Sequence, residues 1–429
     1  MTEQVDQQAF DPRAVTRRTG LRYALAGLGL LSVAGSAGGV VKLAAHKASP
    51  HAKLVAAAGT KPTNIPRDLK DWPTLDAMGD NMVQRKLSPG VSLSVMHDGK
   101  LLYSKGFGVA NVETNVAMTP TTGSRVASIT KQFTAAAVLL LAEQGKLSID
   151  DPLSKFIPEF PRAGDITLRQ MLSHTAGLSD YINGQNHDML VAAQTHDYTA
   201  PELIHIIQSR TPLYRFQPGT AWAYSNSGFA LLSIVVERVS GLSFADFCQQ
   251  NLFTPAGLQA TKIDKTCTVE NACSGYTPNY HAPHGYDENK AVSPSFIAGA
   301  GAIRSTTEDL CLWHCALLNG KVLKPQSVNA MVTPTLLKDG RPAVENRGPE
   351  MMEYGLGMGI GTLSDEMKVI SHGGRVNGFT GHLRSIPDAK LTVAILYNSD
   401  GGGAPGFTAA QRGLRTEATK LGMIALGLV

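Results

Sequence analysis

Ser128 and Lys131 form the only Ser-x-x-Lys in this chain of 429 residues, and an apolar run follows directly. If the segment is helical, residues three positions apart lie on one face, so the amine reaches the hydroxyl. A serine hydroxyl is a poor nucleophile at neutral pH and needs a neighbour that takes its proton during attack on a carbonyl. Lysine can do this when neutral, and burial or a nearby cation lowers its pKa toward that state. The pair therefore predicts a serine nucleophile with a lysine partner.

The run after this pair supports burial of the amine. Residues 133–144 are apolar nearly all round, and Gly145 provides a C-terminal stop, which predicts a core helix. Backbone N–H groups at the start of that helix would point at the hydroxyl and favour an anionic intermediate. One Ser-x-x-Lys arises readily by chance in a chain of this length, so the prediction needs further signals.

A second signal is the Tyr-x-Asn formed by Tyr224 and Asn226, on a predicted loop just before a predicted helix at residues 227–239. A phenol can transfer protons to and from a reacting group. Tyr181 begins another Tyr-x-Asn, so the spacing alone leaves two candidates.

A third signal is His372-Gly-Gly374, at the end of a predicted strand late in the chain. In this order, the three signals resemble those of the penicillin-recognising serine hydrolases, where Ser-x-x-Lys, Tyr-x-Asn and Lys/His-x-Gly meet in one cleft. The resemblance covers about residues 68–425. It includes residues 166–178, which are similar to that family's connecting segment. The Pro-Gly-x-x-Trp-x-Tyr surroundings of Tyr224 match the family, which favours it over Tyr181.

The resemblance implies acyl transfer in two steps, with Ser128 acylated and then released by water. Lys131 and Tyr224 would share the proton transfers, and which of them is the base stays open. Asn226 would donate to the substrate, and the backbone N–H groups of Ser128 and Arg375 would form the oxyanion hole. Gly374 fits this site because a strand without side chains lets substrate lie against its backbone.

His372 departs from the pattern, because many penicillin-binding members have lysine at this position. A lysine cation attracts the carboxylate of a β-lactam or D-alanyl terminus, whereas histidine is mostly neutral at pH 7. The resemblance thus favours the D-aminopeptidase and esterase-like branch, acting on amide, peptide or ester bonds. The alternatives are a D-Ala-D-Ala carboxypeptidase or weak β-lactamase, and a silent cell-wall binding or assembly module. Arg375 is a candidate for the missing charge, but the sequence does not give its side-chain direction.

The order of predicted elements indicates an α+β fold. An early hairpin turns at Asp98-Gly99, mostly helical residues follow from about 125 to 292, and strands then return before a closing helix at 408–428. The predicted late strands are residues 354–362, 368–372, 379–386 and 391–398. Strands at both ends with helices between predict an antiparallel sheet flanked by helices, with an inserted, mostly helical lobe.

The N-terminal segment has the composition of an export address. A twin arginine at Arg17 and Arg18 precedes an uncharged run over residues 23–41, although Gly20 stands where an aromatic residue is usual. The sequence predicts an export signal or membrane anchor over 1–45, a linker over 46–66 and the hydrolase domain over 67–429. A periplasmic or extracellular location follows, with membrane anchoring as the alternative to cleavage.

Charge excludes one class of partner. Residues 1–58 hold seven Lys/Arg and three Asp/Glu, which leaves 32 of each sign beyond them. Because residues beyond 58 have no net charge, we expect no basic face that would bind phosphates, and nucleic acid is not an expected partner. The expected partner is a small molecule or a peptidoglycan-like peptide. The glycines at 355, 357, 359 and 361 lack the strand-loop-helix setting of a dinucleotide site. No cofactor and no metal site are predicted.

The five cysteines are too few for a disulfide scaffold in a chain of this length. Cys267 and Cys273 flank a short loop and could pair. Cys311 and Cys315 lie four apart in a helix-like run without further ligands, so we expect them, like Cys248, to pack in the core.

Overall fold

The computed structural model describes the chain from Trp72 onward. The described residues are 72–182, 191–263, 271–345, 351–363, 367–402 and 405–425. The predicted export segment and linker, and Cys267 with its predicted pairing, lie outside these residues.

A nine-stranded antiparallel sheet forms the centre of the described domain, in the order β3-β2-β1-β14-β13-β12-β11-β10-β9. Its strands are β1 (Gly90–His97), β2 (Lys100–Asn111), β3 (Val116–Ala117), β9 (Val344–Glu345), β10 (Met352–Tyr354), β11 (Gly359–Thr362), β12 (Lys368–Val376), β13 (Phe379–Ile386) and β14 (Leu391–Tyr397). Short pairings outside it are made by β4 (Ser124–Arg125), β5 (Lys262–Ile263), β6 (Gly275–Pro278), β7 (Tyr286–Asn289) and β8 (Ile303–Ser305). Since β1 pairs with β14, segments from the two ends of the domain meet in one sheet, as the sequence predicts.

The helices are mostly contributed by the segment between β4 and β9. They are α1 (Pro73–Gln84), α2 (Thr130–Glu143), α3 (Leu168–Leu172), α4 (Ala200–Gln208), α5 (Asn226–Ser240), α6 (Phe244–Cys248), α7 (Thr254–Ala256), α8 (Pro294–Gly301), α9 (Thr307–Leu318), α10 (Pro325–Met331) and α11 (Phe407–Ala425). The α+β class with its helical lobe is confirmed, and the lobe's helices continue past residue 292 to Met331.

Two apolar cores cover the two faces of the sheet, because successive strand side chains point to opposite faces. On β14, Ala394 and Leu396 pack with the lobe helices, whereas Val393 and Ile395 pack on the other side. The second core includes residues of α1 and α11. The helical lobe therefore lies on one face and the terminal helices lie on the other.

The early hairpin forms as predicted, with Asp98 at φ 45° and Gly99 at φ 81° between its strands. The single strand predicted over residues 354–362 is wrong, because two strands, β10 and β11, occupy this range. Two glycines allow the turn between these strands. A Cβ on Gly355 would lie 2.1 Å from the Met331 carbonyl oxygen. Gly357 has φ 78°, and a Cβ there would lie 2.7 Å from the Lys131 carbonyl oxygen. The glycine run serves close packing against α2 and α10.

The end of β12 is an exposed edge of the sheet. The pairing of β11 with β12 stops at Gly359 and Ser371, whereas β13 continues to pair with β12 as far as Val376. In the part of the chain that the structure describes, Gly373–Val376 of β12 is thus hydrogen-bonded to a strand on one side alone.

The cysteine and membrane predictions have partial answers. Cys248 and Cys311 are fully buried, in agreement with core packing, and Cys315 is half-buried. Among the described residues, no His/Cys/Asp/Glu group is arranged to hold a metal ion. No single described helix is long and apolar enough to cross a membrane. One pair of described helices that meet at a bend of 79° meets the length and composition requirements together: Asn226–Ser240 and Phe244–Ala256.

Candidate active site

Ser128 lies in the 3₁₀ turn Ala127–Ile129, directly before α2. Ala127 has φ 48°, a left-handed conformation that is uncommon for a residue with a side chain. The turn therefore places Ser128 at the mouth of the helix, as predicted, where it is half-buried at the cavity wall.

Lys131, one turn later, is fully buried. Its Nζ lies 3.1 Å from Ser128 Oγ, 2.8 Å from Asn226 Oδ1 and 2.8 Å from the carbonyl oxygen of Ala300 in α8. A hydroxyl and two carbonyl-type oxygens thus surround the amine. Helix periodicity brings Lys131 to Ser128, and packing of α5 and α8 against α2 supplies the other two contacts.

Asn226 is the first residue of α5 and connects the amine to a carboxylate. Its Oδ1 accepts from Lys131, while its Nδ2 and its backbone N donate to Asp180 Oδ2 at 2.8 and 3.0 Å. Asp180 Oδ1 also accepts from the backbone N of Ile182 at 2.7 Å. Asp180 therefore fixes the start of α5 and the orientation of the amide.

Tyr224 borders the same cavity as Ser128, and its ring centroid lies 4.7 Å from Lys131 Nζ. The rival Tyr181 is fully buried instead and donates its hydroxyl to the carbonyl of Phe296. Burial raises the pKa of Tyr181 well above its usual value. Of the two tyrosines, Tyr224 is the one placed at the cavity.

His174 packs beside this tyrosine, with ring centroids 4.3 Å from Tyr224 and 4.9 Å from Tyr354. Its Nδ1 accepts a hydrogen bond from the backbone N of Ser225 at 3.2 Å, and its backbone carbonyl accepts one from the backbone N of Ala223 at 3.0 Å. Both contacts hold the loop that carries Tyr224. His174 therefore acts on the geometry of this loop.

Both ring nitrogens of His372 have partners. Nδ1 donates to the carbonyl of Gly373 at 2.5 Å. In a neutral imidazole Nε2 is then an acceptor, and the Tyr354 hydroxyl lies 3.0 Å from it. The buried Tyr354 thus fills the ring position through which His372 would otherwise donate to a ligand.

Gly374 brings β12 into contact with the turn that holds Ser128. A Cβ on Gly374 would lie 2.1 Å from the Val126 carbonyl oxygen and 3.2 Å from the backbone N of Ser128. Arg375 pairs with Thr380 in the next register position, so its side chain points to the opposite sheet face from Gly374. The Arg375 side chain, whose direction the sequence left open, therefore points away from the helical lobe.

A cavity of about 910 Å³ collects all but one of the predicted site residues. Its walls include Ser128, Tyr224, Asn226, His372, Gly374 and Arg375. Lys131 lies behind this wall and contacts Ser128 and Asn226.

Sequence reasoning missed three contributors, namely Asp180, Tyr354 and the Ala300 carbonyl. Asp180 lies shortly after residues 166–178, the segment similar to the family's connecting segment, and that proximity was a usable signal. Tyr354 gave none beyond its position in a predicted strand. A backbone carbonyl has no sequence signal, because any residue type provides it.

Comparisons with known proteins identify the family of the chain. A family model described as Beta-lactamase matches residues 75–418. Penicillin-binding protein 4* of Bacillus subtilis (strain 168) is 27% identical over 317 residues, 70% of this chain and 66% of that protein. A D-aminopeptidase of Gluconobacter oxydans (strain 621H) is 27% identical over 326 residues, 76% of this chain and 58% of that protein. The chain thus spans 58 to 66% of the length of these two relatives.

A solved structure shares the fold over nearly its whole length. The D-stereospecific amidohydrolase from Streptomyces sp. superposes with a TM-score of 0.66 and is 26% identical, covering 79% of this chain and 97% of that one. Since the family model matches most of the chain, this protein belongs to the beta-lactamase family and is a serine hydrolase of that family.

Proposed function

We propose that this protein hydrolyses amide, peptide or ester bonds through an acyl-enzyme on Ser128, with D-amino acid amides or peptides as substrates. The relatives named D-aminopeptidase and D-stereospecific amidohydrolase support this substrate class. The arrangement around Lys131 is the observation that carries the catalytic part.

A neutral amine has two N–H donors and one lone pair. Lys131 Nζ contacts two oxygens that can only accept, Asn226 Oδ1 and the Ala300 carbonyl. With both N–H groups directed there, the lone pair faces Ser128 Oγ at 3.1 Å. Complete burial also disfavours the charged form of a lysine. The surroundings of Lys131 therefore suit a base that takes the hydroxyl proton.

The steps follow from these positions. Ser128 Oγ bonds to the substrate carbonyl carbon as its proton passes to Lys131, and the backbone N–H groups of Ser128 and Arg375 stabilise the oxyanion. Tyr224, whose ring lies against the amine, relays the proton to the leaving amine, and the C–N bond breaks. A water molecule then attacks the ester by the reverse proton path and releases the acid.

His372 supports amide substrates over those ending in a carboxylate. Its ring donates to Gly373 and accepts from Tyr354, so it offers neither a fixed cation nor a free donor to an anion. A D-alanyl carboxylate would therefore lack its usual counter-charge beside Ser128.

We further propose that the N-terminal segment exports the protein, and a twin-arginine reporter fusion of residues 1–45 tests this.

Steady-state kinetics with D- and L-phenylalanine amide test the activity. We expect the wild type to prefer the D-amide, and Ser128→Ala to lose turnover of both. Labelled penicillin serves as a competing probe: acylation faster than amide turnover would favour the carboxypeptidase or β-lactamase alternative. Wild-type rates equal to those of Ser128→Ala would instead favour a catalytically silent module.

A further inference from the structure

The lining of the cavity beside Ser128 also includes residues on the opposite face of the sheet, where α11 lies. His382 and Tyr397 belong to this face, since they alternate with Leu383 and Leu396, which pack into the lobe core. The lining on this side includes His382, Tyr397, Gln411, Arg412 and Arg415. None of these side chains has a part in the acyl transfer described above.

Tyr397 lines this space and carries a hydroxyl donor. The residue is 2% exposed, and its hydroxyl has no hydrogen-bond partner among the described residues. A buried hydroxyl left in this state destabilises the folded protein, and a ligand that accepts its hydrogen bond would remove that cost. Burial raises the pKa of Tyr397, so the phenol stays protonated and can only gain from an acceptor. Gln411 Nε2 is a second buried donor for which the described part of the chain provides no partner.

Arg415 is held in place beside these donors. Its NH1 donates to His382 Nε2 at 3.1 Å. Burial, reinforced by Arg415, holds the pKa of His382 well below its usual value, so the imidazole is neutral and accepts. This contact orients the guanidinium at the cavity wall.

The charges around the whole cavity favour an anion on this side. Its described lining has three guanidinium groups, from Arg375, Arg412 and Arg415, and two carboxylates, from Glu345 and Asp400. The Asp400 oxygens accept from Thr277 Oγ1 and from the backbone N of Gly378 and Gly402. Asp400 is thus engaged in holding the β12–β13 turn.

We propose that this side of the cavity, between β13, β14 and α11, is a subsite for an oxyanion, either a carboxylate or a phosphate. Tyr397, Gln411, Arg412 and Arg415 supply its donors. Where the anion is part of the substrate, the inference rests on the proposed function and narrows the substrate class to amides that carry an acidic group remote from the scissile bond. Where it is a free ion, the site binds it independently of catalysis.

Isothermal titration of the full chain with glutarate and with inorganic phosphate tests the subsite without using activity. We expect one saturable site for at least one anion, and none for neutral glutaramide. The double variant Arg412→Gln/Arg415→Gln should weaken binding at least about tenfold, as loss of charged hydrogen bonds does. Tyr397→Phe should weaken binding and leave the melting temperature of the ligand-free protein unchanged or higher. Lys420→Gln, an exposed cation of the same helix outside the cavity, should bind as the wild type does.

Kinetics then distinguish the two sources of the anion. Matched dipeptide amides, D-alanyl-glutamate amide and D-alanyl-glutamine amide, differ by one charge. If the wild type prefers the glutamate substrate and this preference falls about tenfold in the double variant, the anion is part of the substrate. If the wild type turns over both substrates at equal rates and binds phosphate saturably, the anion is a free ion. Absence of saturable binding for both anions, or equal binding in the double variant, overturns the subsite. Since binding is measured apart from turnover, an inactive enzyme that binds anions would refute the proposed function alone.

Discussion

Gly374→Ala separates the role of the β12 backbone from that of any side chain. The new Cβ would lie 2.1 Å from the Val126 carbonyl oxygen, whereas real Cβ contacts essentially never fall below 3.0 Å. Strand and turn must therefore move apart by about 1 Å, and backbone on both sides allows no cheap adjustment. The turn that moves carries Ser128, whose backbone N lies 3.2 Å from the same Cβ position.

The expected effect is mainly catalytic. A misplacement of about 1 Å at a reacting group can cost about 100-fold in rate, so we expect kcat/KM for D-phenylalanine amide to fall by about that factor. Overpacking should also destabilise the fold by about 1–3 kcal/mol. Gly373→Ala is the matched control: its Cβ would meet no described atom closer than His382 Nδ1 at 3.5 Å, an ordinary contact.

Stopped-flow acylation by an activated ester, with thermal melting of each variant, measures both effects. Gly374→Ala should acylate slowly while still melting cooperatively, and Gly373→Ala should stay within about threefold of the wild type, since it keeps ordinary packing. Equal acylation rates in the two variants would refute the claim that close approach of β12 positions Ser128.

Three further predictions concern the buried groups. Lys131→Met should lower the acylation rate by about 10²- to 10⁴-fold and also the melting temperature, since it leaves the Ala300 carbonyl without its donor; an unchanged acylation rate would exclude the amine as base. Tyr354→Phe removes the hydroxyl 3.0 Å from Nε2 of His372, so turnover of D-alanyl carboxylates relative to amides should rise, and a constant ratio would contradict the arrangement. Burial holds the pKa of His314 at about 3, against 6.5 when exposed. The unfolded state therefore binds the extra proton between these values, and stability should fall with falling pH by about 1.4 kcal/mol per unit; His314→Gln should flatten that slope, as chemical denaturation at several pH values would show.

Local signals in the sequence predicted the parts of the site that depend on short spacing. Ser128 and Lys131 share a helix start, so helix periodicity was sufficient to predict their contact. Tyr224, Asn226 and His372 lie in short motifs whose selection depended on the resemblance to the family. The antiparallel sheet followed from strands at both ends of the domain.

Contacts between distant segments were beyond the sequence. Asp180 lies 46 positions from the amide that it orients, and no local pattern encodes that pairing. The direction of the Arg375 side chain depends on strand register, where a shift of one residue reverses the face. The turn at Gly355 and Gly357 was mistaken for strand because the packing partners that require it, Met331 and Lys131, lie elsewhere in the chain.

The central claim is that Ser128 forms the acyl-enzyme with Lys131 as its base. Mass spectrometry of the intact protein after fluorophosphonate treatment tests it directly, with peptide mapping of the adduct. We expect one adduct in the wild type, mapped to Ser128, none in Ser128→Ala, and slow formation in Lys131→Met. An adduct on another residue, or equal labelling of Ser128→Ala and the wild type, would contradict the account.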